Sequence, residues 1–208
     1  MLKFGLTGGI GSGKSVVCGM LRGMGAHIID ADVLAKDALS PGRPAFDETV
    51  RVFGPGILDG GGRIDRGALA DVVFGDPAKR AALEGIIHPR VFEAEALAYE
   101  AIAKREPDAL VFFDAPLLIE SGAYRRFRHV VLVWCRPETQ LARVMAKWGL
   151  NRVEALLRVQ AQMPLEEKLG YAAHVIDNDG TLEQTQAQVR NLFKVLAGAR
   201  LITPGSPQ

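Results

Sequence analysis

The sequence predicts an α/β protein with a three-layer parallel sheet, and three observations predict it. Short apolar runs alternate with segments of helical spacing. The runs are continuously apolar rather than alternating, as strands covered on both faces are. A glycine-rich loop, Gly8-Gly9-Ile10-Gly11-Ser12-Gly13-Lys14-Ser15, joins the first run to the first helix in the manner of a P-loop.

Leu2 to Thr7 is the first buried strand. After the loop, Val16, Val17, Met20, Leu21 and Met24 fall at helical spacing, and Gly23 and Gly25 close the helix. His27 to Asp30 reads as a second strand, and Asp32 to Leu39 as a short helix stopped by Ser40-Pro41-Gly42. Gly54-Pro55-Gly56 and Gly60-Gly61-Gly62 signal loops. Short helices follow. Asp65 is placed to cap one through Val73, and Asp76-Pro77 combines an N-cap with proline at the first helical position. His88-Pro89 reads as the opening of a further, longer helix, with Phe92, Leu97, Tyr99 and Ile102 apolar along it. Residues from about 60 to 107 therefore predict a helical insertion within a single domain of 208 residues.

Ala109 to Asp114 and Val130 to Trp134 are the next strands, and Pro137 to Trp148 the next helix. Asn151-Arg152-Val153-Glu154 has the form of a capping box. Ala173 to Asp177 is the last strand candidate, a final helix runs from about Leu182 to Leu196, and Thr203 to Gln208 reads as a frayed polar tail.

Composition narrows the function classes. A hydrophobic fraction of 48% supports a packed core. With 25 Lys and Arg against 24 Asp and Glu there is no broad basic field, which disfavours nucleic acid as a partner. No run approaches a membrane span, and the start of the chain lacks the pattern of a signal peptide, so a cytoplasmic setting without membrane contact is expected. Cys18 and Cys135 sit in apolar surroundings and read as buried thiols. Arg125, Arg126 and Arg128 read as an exposed basic face.

The loop carries the chemistry. Its glycines allow backbone N–H groups to turn inward on phosphate oxygens, and the helix behind it adds its dipole. Lys14 supplies a cation to the β- and γ-phosphates, and the Ser15 hydroxyl is placed to meet Mg²⁺ bound with ATP. No Asn-Lys-x-Asp guanine-reading motif occurs. Asp30-Ala31-Asp32 follows the second strand, whose carboxyl end faces the same crevice as the P-loop in a parallel sheet. A carboxylate there fits a base for an acceptor hydroxyl; it equally fits a helix N-cap. Arg143 and Lys147, four apart on one helix face, fit phosphate clamps or simple solvated charge. His88 fits a ligand contact or a helix start. A sugar-acid or nucleotide kinase, or an ATP-binding regulator without an acceptor, would share the loop.

The chain resembles the dephospho-CoA kinase family. The resemblance rests on Leu6-Thr7-Gly8-Gly9-Ile10-Gly11-Ser12-Gly13-Lys14-Ser15, Ile29-Asp30-Ala31-Asp32, Asp65-Arg66, His88-Pro89, Asp114-Ala115-Pro116-Leu117-Leu118-Ile119-Glu120, Gln140-Leu141-Ala142-Arg143 and Val175-Ile176-Asp177-Asn178, in family order over nearly the whole chain. It implies transfer of the ATP γ-phosphate to the ribose 3′-hydroxyl of dephospho-CoA, with Mg²⁺. It implies Asp32, Lys14 and Arg143 as catalytic residues. Gly9, Gly11, Ser12, Gly13, Lys14, Ser15, Val16, Arg143, Lys147 and Asn178 would contact ATP, with Asn178 by the adenine. Thr7, Asp32, His88, Asp114 and Leu117 would contact the acceptor. Helices over about 137–169 would form a lid, and the helical insertion would cover the CoA side. ATP and dephospho-CoA are the expected partners of a monomer or weak homo-oligomer. Three positions depart from the family pattern: Lys147 replaces an arginine, Ala173 an aspartate and Val16 a threonine.

Overall fold

The structure, a computed structural model, describes residues 1–198; the tail expected at Thr203–Gln208 lies outside the described residues. Five strands, β1 (Leu2–Thr7), β2 (His27–Asp30), β3 (Leu110–Asp114), β4 (Val130–Trp134) and β5 (His174–Asp177), form one sheet in the order β2-β3-β1-β4-β5. The pairs β1–β3, β1–β4 and β4–β5 are parallel. The register sets Leu6 opposite Asp114, so β1 and β3 end side by side.

The helices are α1 (Lys14–Gly23), α2 (Ala31–Ala38), α3 (Pro44–Phe53), α4 (Arg66–Val73), α5 (Pro77–Arg105), α6 (Pro137–Trp148), α7 (Arg152–Gln160), α8 (Leu165–Lys168) and α9 (Leu182–Gly198). Among the described residues no helix is long and apolar enough to cross a membrane. The chain divides into two compact units. One comprises Met1–Ile29 together with Ile102 onward, and the other Asp30–Ala101.

In the first unit the period of two along each strand builds the layers. Phe4 and Leu6 of β1, Leu110 and Phe112 of β3, Val131 and Val133 of β4 and Ile176 of β5 join Val17, Cys18 and Leu21 of α1 and Val189, Leu192 and Leu196 of α9 in one core. The intervening residues point to the opposite face. There Phe113 stacks on Phe127, the ring centroids 5.7 Å apart, and Leu132 packs with Cys135 and Leu165 of α8. Both cysteines are buried and free, as their apolar surroundings predict. Arg125, Arg126 and Arg128 are exposed, also as predicted.

The second unit holds α2, α3, α4 and most of α5. Its caps follow the sequence. Asp65 accepts from the N–H groups of Gly67 and Ala68, and Asp76 from those of Ala78 and Lys79. Helix α3, between the Ser40-Pro41-Gly42 stop and the Gly54-Pro55-Gly56 loop, is an element that the sequence analysis leaves unassigned; it starts on Pro44 and ends at Gly54 in a positive-φ conformation. The helix expected to open at His88-Pro89 does not open there. Pro89 lies inside the 29-residue α5, and His88 is an exposed interior residue. Proline removes one intrahelical hydrogen bond, yet Ile86, Val91, Glu95 and Tyr99 bury a single stripe running through that point. Burial of the stripe outweighs the local stop signal.

Candidate active site

The loop between β1 and α1 is shaped by two left-handed glycines, Gly11 (φ 76°) and Gly13 (φ 87°). Side chains fail there sterically as well. A Cβ on Gly11 would lie 2.7 Å from the Gln140 carbonyl oxygen, and one on Gly13 would lie 1.9 Å from Asn178 Nδ2. The Ser12 N–H donates to the Gly9 carbonyl (3.1 Å), closing the turn. Ser12 is buried, and its hydroxyl has no hydrogen-bond partner among the described residues. Helix α1 starts at Lys14 with Gly13 as its cap and no side-chain capping bond. Its first N–H groups therefore face the loop, the arrangement that receives an anion. Ser15 and Val16 are exposed on this first turn.

Lys14 donates from Nζ to Asp114 Oδ1 across the adjacent ends of β1 and β3. The second oxygen of Asp114 accepts from the Cys18 thiol (3.3 Å). Burial, reinforced by the neighbouring Asp114 charge, pushes the Cys18 thiol up to about 12, so it stays a neutral donor. Cys135 is likewise pushed up, to about 11, chiefly by burial.

Asn178, directly after β5, is bonded at both ends of its amide. Its Nδ2 donates to the Ser12 carbonyl (2.7 Å) and its Oδ1 accepts from the Thr185 hydroxyl (2.8 Å). Arg143 on α6 lies half-buried beside it, donating to the Asn178 carbonyl (2.8 Å) and, at 3.5 Å, to the Ser12 carbonyl. Thr7 is fully buried, and its hydroxyl donates to the Pro116 carbonyl (3.1 Å). Leu117 in the same turn is 48% exposed. Lys147 is exposed, with its ammonium 4.7 Å from the centre of the Trp148 ring.

The first unit thus brings together the loop, Thr7, Asp114, Leu117, Arg143 and Asn178. Asp32 and His88 belong to the second unit. There the cap of α2 is Asp30, which accepts from the N–H groups of Asp32 and Val33, while Asp32 is an exposed residue of the first turn. His88 lies 6.1 Å from the Phe92 ring centre.

The family model described as dephospho-CoA kinase matches residues 2–184. The chain belongs to the dephospho-CoA kinase family. It is 48% identical over 194 residues to the dephospho-CoA kinase of Geobacter metallireducens, a match covering 93% of this chain and 96% of that protein. It is 46% identical over 198 residues to the dephospho-CoA kinase of Symbiobacterium thermophilum, covering 95% of this chain and 82% of that protein. A crystal structure from Thermus thermophilus superposes with a TM-score of 0.79 at 41% identity, covering 98% of each chain. The chain is accordingly an ATP-dependent phosphotransferase of the P-loop kinase fold.

Three further side chains take places at the site that no reading of the sequence assigns to them. Gln140 on α6 donates to the Ile10 carbonyl, and Gln162 accepts from the Ile10 N–H, each at 2.7 Å. Lys168, wholly buried, bonds the Pro116 carbonyl and Glu120, both at 2.9 Å. Gln140 carried a signal, since it precedes Arg143 by three residues and shares its helix face. Lys168 carried none, for Glu166-Glu167-Lys168 looks like a solvated charge run.

Proposed function

We propose that this chain transfers the γ-phosphoryl group of ATP to the ribose 3′-hydroxyl of dephospho-CoA, closing coenzyme A biosynthesis. The observation that carries the reading is the meeting of Lys14 and Asp114 at the carboxyl ends of β1 and β3, directly behind a phosphate-binding loop. Loop N–H groups and the start of α1 hold the β- and γ-phosphates. Lys14 leaves Asp114 for the phosphoryl oxygens and stabilises the charge that develops on them. Gly9, Gly11, Ser12 and Gly13 shape the cradle, and Val16 borders the nucleotide.

Asp32 orients the acceptor hydroxyl and takes its proton as the oxygen attacks the γ-phosphorus. The bond from that phosphorus to the bridging oxygen breaks, and ADP carries the electron pair away. Asp114 and Leu117 of the first unit serve the acceptor, and His88 with the helices of about 60–107 serves its CoA end. Thr7 acts on the acceptor through the Pro116 carbonyl. Arg143 joins the transferring group from the segment over about 137–169, which overlies the nucleotide, and Lys147 adds charge at its edge. Asn178 serves the nucleotide by fixing the Ser12 carbonyl.

The site suits Mg²⁺ held mainly by the nucleotide. Among the described residues no cluster of His, Cys, Asp or Glu forms a protein cage. Mg²⁺ bound to a triphosphate keeps several waters and takes only one or two protein ligands. The exposed hydroxyl of Ser15 on the first turn of α1 fits that part. When bound, the ion would neutralise charge on the β- and γ-oxygens.

ADP release, measured with ATP and Mg²⁺ over a panel of hydroxyl acceptors, tests the assignment. Dephospho-CoA is expected to give turnover well above the ATPase background. Turnover of another acceptor with none on dephospho-CoA refutes it.

A further inference from the structure

We propose that Lys168 is a positioning residue for the phosphoryl transfer, holding the Asp114–Glu120 turn through the Pro116 carbonyl. The proposal rests on the acceptor-side role given above to Asp114 and Leu117.

The turn begins where β3 ends. The Ala115 N–H makes a last ladder bond to the Leu6 carbonyl (3.0 Å). Pro116 has no N–H to offer, so only its carbonyl anchors this peptide. That oxygen takes two donors, the Thr7 hydroxyl at 3.1 Å and Lys168 Nζ at 2.9 Å, which uses both its lone pairs. Asp114 lies two residues before this anchor and Leu117 one residue after it. A shift of the Pro116 carbonyl therefore moves both.

Lys168 is also tied to the nucleotide side. Its ammonium meets Glu120 Oε1, and the same oxygen accepts from the Met163 N–H (3.1 Å). The neighbouring Gln162 holds the Ile10 N–H in the P-loop. Residues 162 to 168 thus grip the P-loop tip and the acceptor turn together. An ammonium with no exposed surface is a poor way to stabilise a fold, since well-packed apolar groups often replace buried ion pairs without loss. What apolar groups cannot do is fix a carbonyl and a carboxylate in one geometry.

The test uses Lys168→Met, the charge-balanced double variant Lys168→Met/Glu120→Gln, and Thr7→Val, which removes the other donor to Pro116. Melting temperature, ADP affinity, dephospho-CoA affinity and kcat are measured for each. The double variant is expected to melt close to wild type with unchanged ADP affinity, while kcat falls by about 10²-fold, the scale of a misplacement of about 1 Å. Dephospho-CoA affinity falls with it. Thr7→Val is expected to show the same split at smaller size. Wild-type turnover in the double variant, or parallel loss of ADP affinity and melting temperature in all three, overturns the proposal. Wild-type protein that fails to bind dephospho-CoA overturns the functional reading itself, and this proposal with it.

Discussion

Lys14 and Asp114 form an ion pair between the first turn of α1 and the end of β3, with side chains only 14% and 7% exposed. In the transfer proposed above, Lys14 leaves this carboxylate for the arriving phosphates. Removing the lysine alone leaves Asp114 charged and poorly solvated. Lys14→Ala is therefore expected to abolish most turnover and also to cost on the order of 2 kcal/mol of stability, the scale of an unsatisfied buried polar group. Lys14→Met/Asp114→Asn should recover the melting temperature and not the activity. Recovery of both would show that Lys14 has no part in the chemistry.

Gly13 and Asn178 make a second pair. The glycine combines a φ of 87° with an approach by Asn178 that admits no Cβ. Gly13→Ala should eliminate measurable nucleotide binding. Asn178→Ala relieves the contact but leaves the Ser12 carbonyl without its 2.7 Å donor, so ADP affinity should drop by about 10-fold, near the free energy of one hydrogen bond. Isothermal titration with ADP distinguishes the two. Normal ADP affinity in Gly13→Ala contradicts the tight-loop account.

Arg143 already lies on the loop through the Ser12 and Asn178 carbonyls. Its planar fork spans two carbonyls and keeps donors for a phosphoryl oxygen, which a lysine ammonium cannot imitate. Arg143→Ala should reduce kcat more than it weakens ATP affinity, because charge on the transferring group is greatest in the transition state. Arg143→Lys should rescue little. Steady-state kinetics with an independent nucleotide Kd decide it: a loss confined to ATP binding makes Arg143 a ground-state contact.

Of the two roles that the sequence leaves open at Asp30-Ala31-Asp32, the structure gives the cap to Asp30, and the base is the role proposed for Asp32. Asp30 takes the cap of α2, accepting from the Asp32 and Val33 N–H groups. Asp30→Ala should therefore cost about 1 kcal/mol of stability, as lost N-caps do. Asp32→Asn should melt normally while kcat on dephospho-CoA falls by about 10²-fold or more, the range for a general base. Paired melting and ADP-release measurements read both. Full turnover in Asp32→Asn ends its role as the base.

Much of this molecule is written locally. The strand, loop and helix from Leu2 to Gly23, the caps at Asp65 and Asp76 and the capping box at Asn151 and Glu154 all depend on residues within a few positions of one another. Their hydrogen bonds and backbone angles are set by neighbours in the chain, so the residue pattern specifies them. The phosphate loop and the family resemblance were legible for that reason. The rest waited on the sheet. Lys14 and Asp114 are 100 residues apart, and Asn178 and Ser12 are 166 apart. They meet because the strand order sets β1 between β3 and β4, with β5 beyond, and no local pattern encodes that order. The same holds for Pro89, where a buried stripe carried α5 through a residue that reads as a boundary. It holds most plainly for Lys168, one of a charged run by composition. Only the packing of α8 against the sheet, with Leu165 beside Leu132 and Cys135, brings its ammonium out of water and onto the Pro116 carbonyl.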